Sequence, residues 1–460
     1  YAPPMKRRDA LKTMGALAGA TAGTRLLGAC GDNGLPPGIE HIVVVMMENR
    51  SYDHLLGARA LEGLGGDGLT PAMQNAGRDG TLYAPYEATL GNMCVPDPPH
   101  GWDAAHASFA GGANSGFVAA HQASHGDNSF KHPMEYLTRS HVPVSWALAD
   151  AYTTCDRYFC SVMGPTWPNR MYWHSGSSNG IKSNDLPVGG FSWPSIHHRL
   201  DDKSVPWRYY YVTIPVLAIV DTLDKTGRLF LVEQFTRDCA KGDLAPVSYV
   251  DPGFNLNDDH PPIHPIHGQA FLATIYTALA NSRLWDKTLL VVTYDENGGF
   301  FDHVPPPTTV DGFAAQGFDQ MGFRVPTMVI GPYAKQGVSS TVRDHCSVLA
   351  HLERQFGLEP LNARTMAAND LSDCIDAGRI AAGDPSRPIT LPAIEIDESQ
   401  LGADCAMIDG LIDDHPMHQL ADRYPDRFAK WDQRKNFRDH LYFIGDYLEQ
   451  HNVGRIRRGR

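Results

Sequence analysis

Ile42-Val43-Val44-Val45-Met46-Met47 runs directly into Glu48-Asn49-Arg50-Ser51-Tyr52-Asp53-His54. An unbroken apolar run dominated by β-branched residues predicts a strand buried on both faces, as in a parallel sheet; a half-solvated strand would alternate apolar with polar residues. Leu289-Leu290-Val291-Val292-Thr293-Tyr294 repeats the pattern and leads into Asp295-Glu296-Asn297-Gly298-Gly299. A third run, Val325-Pro326-Thr327-Met328-Val329-Ile330, carries a proline that marks a strand start. Apolar residues at helical spacing predict helices over 269–284 (Phe271, Leu272, Ile275, Leu279, Leu284), 347–356 (Val348, Leu349, Leu352, Phe356) and 426–448 (Trp431, Phe437, Leu441, Ile444). Buried strands alternating with helices indicate an α/β fold, a three-layer sandwich with a mainly parallel central sheet. Residues 57–253 are rich in Gly, Pro, His, Trp and Tyr with weak periodicity, and are expected to form long insertions that cap the sheet. With no internal repeat or low-complexity linker, one decorated domain over 38–450 is expected.

The 460 residues, 42% of them hydrophobic, are enough for one large core. Acidic residues outnumber basic ones, 52 to 39, for a net charge of −13. That balance, with no long basic run, excludes a nucleic-acid backbone binder but not a lipid headgroup, which is read locally. Lys6-Arg7-Arg8-Asp9-Ala10-Leu11-Lys12, followed by a weakly apolar Ala- and Gly-rich stretch to Leu27, resembles a twin-arginine export signal over 1–30. Leu27-Gly28-Ala29-Cys30 resembles a lipoprotein box, with ordinary cleavage near Ala29 as the other reading. The expected location is therefore periplasmic, envelope-anchored or secreted. No later run is long and apolar enough to span a membrane. Export permits disulfides; Cys155 with Cys160, or Cys374 with Cys405, are candidate pairs.

Sites in open parallel sheets form beyond the carboxyl ends of strands, so two acidic strand ends far apart in sequence are able to meet. Glu48, Asn49, Asp295 and Glu296 make a hard oxygen set suited to one divalent metal ion; each is also of the type that caps a helix or closes a turn. Gly298-Gly299 allows backbone to approach a ligand closely. Asp302-His303 precedes the stiff run Val304-Pro305-Pro306-Pro307, which either holds His303 toward a site or leaves it exposed on a loop. In Gly164-Pro165-Thr166-Trp167-Pro168-Asn169-Arg170 a clamped backbone surrounds one hydroxyl. Thr166 is either a turn hydroxyl or a nucleophile, the latter requiring a base or metal to activate it. Arg170 suits either a phosphate or a carboxylate. His100, His106, His260, His264 and His267 are candidates for proton transfer among 21 histidines.

Taken together and in order, Glu48 to His54, Gly164 to Arg170 and Tyr294 to Pro307 resemble the bacterial phosphoesterase family of phospholipases C and acid phosphatases, over roughly residues 40–360. The resemblance implies an alkaline-phosphatase-like fold. It implies one divalent ion (Ca, Mn, Mg or Zn) held by Glu48, Asn49, Asp295 and Glu296 and touched by Thr166, the nucleophile. His260 then protonates the leaving alcohol, with His100 and His303 as further catalytic histidines and Arg170, Trp167 and Asn169 on the substrate. The motif wording is closer to the phospholipase C branch, which implies phospholipid diesters as substrates, peripheral membrane contact and a phospho-threonine intermediate. Trp146, Trp167, Trp173, Trp193, Trp207 and Tyr209-Tyr210-Tyr211 are either a cation–π surface for a choline headgroup or core packing. The alternatives are a broad acid phosphatase acting on monoesters and a lipid- or glycan-binding lipoprotein with a dead site.

Overall fold

The computed structural model describes residues 38–457 except 91–92, 128–130, 188–189, 398 and 400–432. The stretch expected to be an export signal, Cys30 and Cys405 lie outside the described residues. Eight strands form the central sheet: β1 (His41–Met47), β2 (Thr153–Cys155), β3 (Trp207–Tyr211), β4 (Leu229–Leu231), β5 (Val247–Val250), β6 (Thr288–Tyr294), β7 (Met328–Ile330) and β8 (Gly337–Ser339). Their spatial order is β8-β2-β7-β6-β1-β5-β3-β4. β1 pairs in parallel with β5 and β6, β3 in parallel with β4 and β5, and β2 in parallel with β8. The third apolar run is shorter than expected, and its strand β7 lies antiparallel to both β6 and β2. The sheet is therefore mainly parallel, with an antiparallel strand on one flank.

The two long apolar runs are the middle of this sheet. Every residue of β6, and β1 from Ile42 onward, is buried. Each large apolar side chain so buried contributes roughly 1.5–3 kcal/mol relative to exposure. Two groups of helices flank the sheet. In one, Ile266–Ala280 packs against Pro143–Ala151, Val232–Lys241 and Gln433–Gln450. In the other, Thr166–Ser175 packs against His345–Gln355 and Ile196–Asp202. The helix expected at 347 starts at His345 because Asp344 caps it, accepting from Cys346 N at 3.0 Å. The helix expected at 269 starts at Ile266, behind Pro265.

Residues 57–253, expected as cap alone, also supply β2, β3, β4 and β5 and the helix Thr166–Ser175. Of the two readings of the aromatic residues there, core packing holds for most. Trp146, Trp167, Trp173 and Trp207 are buried, and Tyr209–Tyr211 lies within strand β3. Aromatic residues suit a doubly covered strand as well as a binding face, so sequence alone does not separate the two. Cys155, Cys160 and Cys374 are free thiols, so neither expected disulfide is formed, while Cys94 is disulfide-bonded. Among the described residues no helix is long and apolar enough to cross a membrane.

Candidate active site

Adjacent parallel strands bring the two acidic motifs together. β1 and β6 pair through Met47 and Tyr294, and Asp295 N donates to Met47 O at 3.2 Å. Both chains then turn beyond the sheet. Asp295 Oδ1 accepts from Asn49 N at 3.2 Å and from Glu296 N at 2.8 Å, and Glu296 Oε2 accepts from Gly298 N at 2.6 Å. Asn49 takes a left-handed conformation, φ 57°, one that asparagine tolerates better than most residues. Gly298, also left-handed at φ 59°, passes so close that a Cβ would lie 2.4 Å from Asn49 O. Gly299 does the same for the next layer: a Cβ there would meet Pro98 and Pro99 at 2.8 Å. The glycine pair thus lets the 97–100 loop settle onto the acidic turn and carries His100 Nε2 to 3.6 Å from Glu296 Oε1.

The Gly164–Arg170 motif places Thr166 as the first residue of a helix. Thr166–Ser175 begins immediately after Pro165, and its second proline, Pro168, falls in the first turn, where no intrahelical N–H is required. Thr166 Oγ1 donates to Glu48 Oε1 at 3.3 Å. Helix N-termini favour anions, so a phosphoryl group on this oxygen would face the positive end of the helix dipole. Asn169, expected on the substrate, braces this turn instead. Its amide donates to the carbonyls of Val162, Gly164 and Pro165, and its Oδ1 accepts from Val162 N. Trp167 is fully buried and offers no face to a ligand. Arg170 takes the carboxylate option: Nη2 meets Glu48 Oε2 at 3.1 Å and Nε meets Asp295 Oδ2 at 3.2 Å, all three side chains buried. A guanidinium fork held between two acids at the back of the site is not disposed toward phosphate.

Glu48, Asp295 and Glu296 are fully buried, with Arg170 the cation bonded to two of them. Burial first, and Glu48 second, push the Asp295 carboxyl up to about 7. Burial raises Glu296 well above the carboxylate range, with His100 opposing. Asp258, whose carbonyl accepts from Glu48 N at 2.8 Å, is likewise raised by burial and then by Glu48. Among the described residues, the buried oxygens Asn49 Oδ1 and Glu296 Oε1 accept no hydrogen bond, and Glu296 Oε1 faces only the ion pair with His100. Excess buried negative charge and these two oxygens on one turn fit a hard divalent cation.

A second wall faces this turn. One ligand-type atom from each of Asp97, His100 and His260 lies within 4.8 Å of the other two. His100 Nδ1 donates to Pro98 O at 2.8 Å and His260 Nδ1 to Pro261 O at 2.6 Å, so both rings keep Nε2 for the site. Burial opposes the charge on His100, but Glu296 and Asp97 outweigh it and lift the imidazole to about 9. Asp97, which also accepts from Asn49 Nδ2 at 3.4 Å, went unnoticed in the sequence because it lies in a proline-rich loop without periodicity. Its only signal is its place three residues before His100.

His303 does not join them. Its Nδ1 is 2.6 Å from Asp53 Oδ2 and its Nε2 2.8 Å from Asp67 Oδ1. With Asp302 it belongs to a separate cluster that Arg324 neutralises, through Asp53 Oδ1 at 3.0 Å and Asp302 Oδ1 at 2.8 Å. The other histidine candidates are structural. His106 stacks on Trp102 and donates to its carbonyl, His264 accepts from Ile266 N, and His267 is buried.

Residues 39–359 match the phosphoesterase family. Phospholipase C B of Mycobacterium tuberculosis is 32% identical over 419 residues, covering 76% of this chain and 80% of its own. Non-specific phospholipase C1 of Arabidopsis thaliana is 32% identical over 364 residues, covering 70% and 67%. The non-hemolytic phospholipase C of Burkholderia pseudomallei is 30% identical over 397 residues, covering 69% and 55%. The solved structure of an alkaline phosphatase superfamily protein from Vibrio parahaemolyticus covers 74% of both chains at 11% identity and a TM-score of 0.36.

Proposed function

The chain belongs to the phosphoesterase family, and from that premise we propose that it is a phospholipase C that cleaves phospholipid diesters to diacylglycerol and a phosphorylated headgroup through Thr166. Hydrolysis of phosphoric esters follows from the family itself. The observation that carries the finer reading is the setting of Thr166: a hydroxyl at the positive end of a helix, 3.3 Å from a buried carboxylate that crowds two others.

Glu48 Oε1 is placed to take the hydroxyl proton as Oγ1 turns to phosphorus. The helix N-terminus and the cationic His100 counter the charge on the phosphoryl oxygens. The bond from phosphorus to the diacylglycerol oxygen breaks, His260 Nε2 gives that oxygen a proton, and water then frees the phosphorylated headgroup from Thr166. Glu48, Asn49, Asp295 and Glu296 would hold a divalent cation, which would supply Lewis-acid stabilisation of the same developing charge. Arg170 and Asn169 act behind these groups, one fixing the carboxylates and the other the turn. Export by the twin-arginine route, with envelope or secreted location and peripheral contact with a lipid surface, belongs to the same reading. Replacing Arg7-Arg8 by lysines should retain the protein in the cytoplasmic fraction.

The test is a panel of phospholipids, p-nitrophenyl phosphorylcholine and p-nitrophenyl phosphate, with and without chelator, on wild type and Thr166→Ala. Diesters should be preferred, and the alanine variant should lose at least about a thousandfold in kcat. A clear preference for the monoester would make the protein a broad phosphatase. Full activity in the alanine variant would remove Thr166 as nucleophile.

A further inference from the structure

Cys155 and Cys374 lie 219 residues apart in the chain, yet their sulfurs stand 4.0 Å apart, both buried. Cys155 ends strand β2; Cys374 closes a short turn, Ser372–Cys374. The backbones are already tied: Thr153 Oγ1 donates to Cys374 O at 3.2 Å, and Lys335 N donates to the same carbonyl at 2.9 Å. Among the described residues, the Cys155 sulfur makes no hydrogen bond beyond the contact with Cys374. From this geometry we infer that Cys155 and Cys374 are a dithiol built to close into a second disulfide, joining strand β2 to the 372–374 turn.

Three further observations support it. The fold already accommodates one disulfide, at Cys94. The thiols are unequal: donation from Cys374 holds Cys155 below the ordinary thiol range, burial opposes this, and Arg343 adds to the lowering. Cys374 is raised. Arg343 favours the thiolate form of both sulfurs, the form that thiol–disulfide exchange requires. Finally, Ser372 and Asp373, immediately before Cys374, are exposed, so a small local opening of this turn admits an oxidant. The Cys155 thiolate attacks a small disulfide RSSR, forming a mixed disulfide and releasing RS⁻. Cys374 then attacks the Cys155 sulfur and expels the second RS⁻. The two thiol protons pass to the two released thiolates, so RSSR is reduced to two RSH as the protein dithiol is oxidised.

The structural effect falls on one wall of the site. Asp373 forms an ion pair with Arg343, which precedes the capping residue Asp344 of the helix at His345, and His345 Nε2 donates to Asp295 O at 2.7 Å. The bond would pin the outer end of that path.

The full-length protein, folded and incubated with excess oxidised glutathione, is denatured in urea with N-ethylmaleimide at neutral pH and mapped by mass spectrometry without reductant. The expected result is one cross-linked species containing the Cys155 and Cys374 peptides, lost on reduction, with Cys160, Cys239 and Cys346 alkylated. The same linkage is expected in protein taken directly from an oxidising compartment. Alkylation of both Cys155 and Cys374 after both treatments overturns the inference. So does glutathione left on either sulfur without the cross-link, or a bond from either to another cysteine.

Discussion

Arg170 offers the sharpest test of how the site is built. Replacing it by methionine leaves Glu48 Oε2 and Asp295 Oδ2, both fully buried, without the guanidinium that now lies 3.1 and 3.2 Å from them. It also removes the donor to Met47 O at 3.3 Å, at the end of β1. Removing one partner of a buried ion pair typically costs about 3–5 kcal/mol, because the remaining charge is left in a poorly solvated place. Arg170→Lys keeps the charge but lacks the fork that reaches both acids, and a loss of about 1–3 kcal/mol is expected. Urea unfolding near neutral pH, followed by tryptophan fluorescence on chelated protein, reads these losses as a lower midpoint. Kinetics on a soluble p-nitrophenyl ester should show kcat falling with KM close to wild type, because the fork orients carboxylates and not substrate. An unchanged urea midpoint with KM raised by at least roughly tenfold would refute this and put Arg170 on the phosphate after all.

Gly298→Ala should lower the urea midpoint by more than about 2 kcal/mol equivalent and cut kcat/KM at least tenfold, since its φ is 59° and a Cβ would sit 2.4 Å from Asn49 O; wild-type values in both assays would show that the turn relaxes freely. Burial holds His351 down at about 4, below the ordinary imidazole value of about 6.5. Its neutral form is favoured by folding, so the stability it contributes is complete above about pH 6.5 and is lost as pH falls toward 4; between about pH 7 and 5 the loss is about 2 kcal/mol. His351→Gln should flatten the acid limb of a stability–pH curve by that amount, and an unchanged limb would refute it. Asp295 is shifted the other way, from 3.8 to about 7. Its charged form is disfavoured by folding, so cation-free protein should lose stability as pH rises from about 4 through 7. Adding a divalent cation to chelated protein should therefore raise Tm more near pH 8 than near pH 5, and an equal rise at both would count against carboxylate ligation.

The parts of this fold legible in the sequence are those where one physical signal dominates. β1 and β6 are long, continuous and apolar, and the acidic residues at their ends could be read as neighbours before any coordinates. Strands of three residues such as β2, β4 and β8 carry no period to detect. The Thr166 helix was hidden because Pro168 and Asn169 read as turn residues, although proline is tolerated in a first turn. Side chains that serve the site from behind carry the same residue types as side chains that face it. Arg170, Asn169 and His303 could therefore be placed in the right motifs but not given the right partners. Asp97 and Asp258 have no pattern at all around them, and only the tertiary contacts with Asn49 and Glu48 bring them into view.

Asn49 and Asp295 touch across a sequence separation of 246, and β1 cannot present one half of the acidic turn until β6 has docked beside it. The proposed cation site would therefore be completed only after the longest loop in the sheet has closed. A chain that binds its ion has already solved its topology. Metal uptake during refolding would then report completion of the fold more directly than helix content does, and no fragment ending before Glu296 could carry the site.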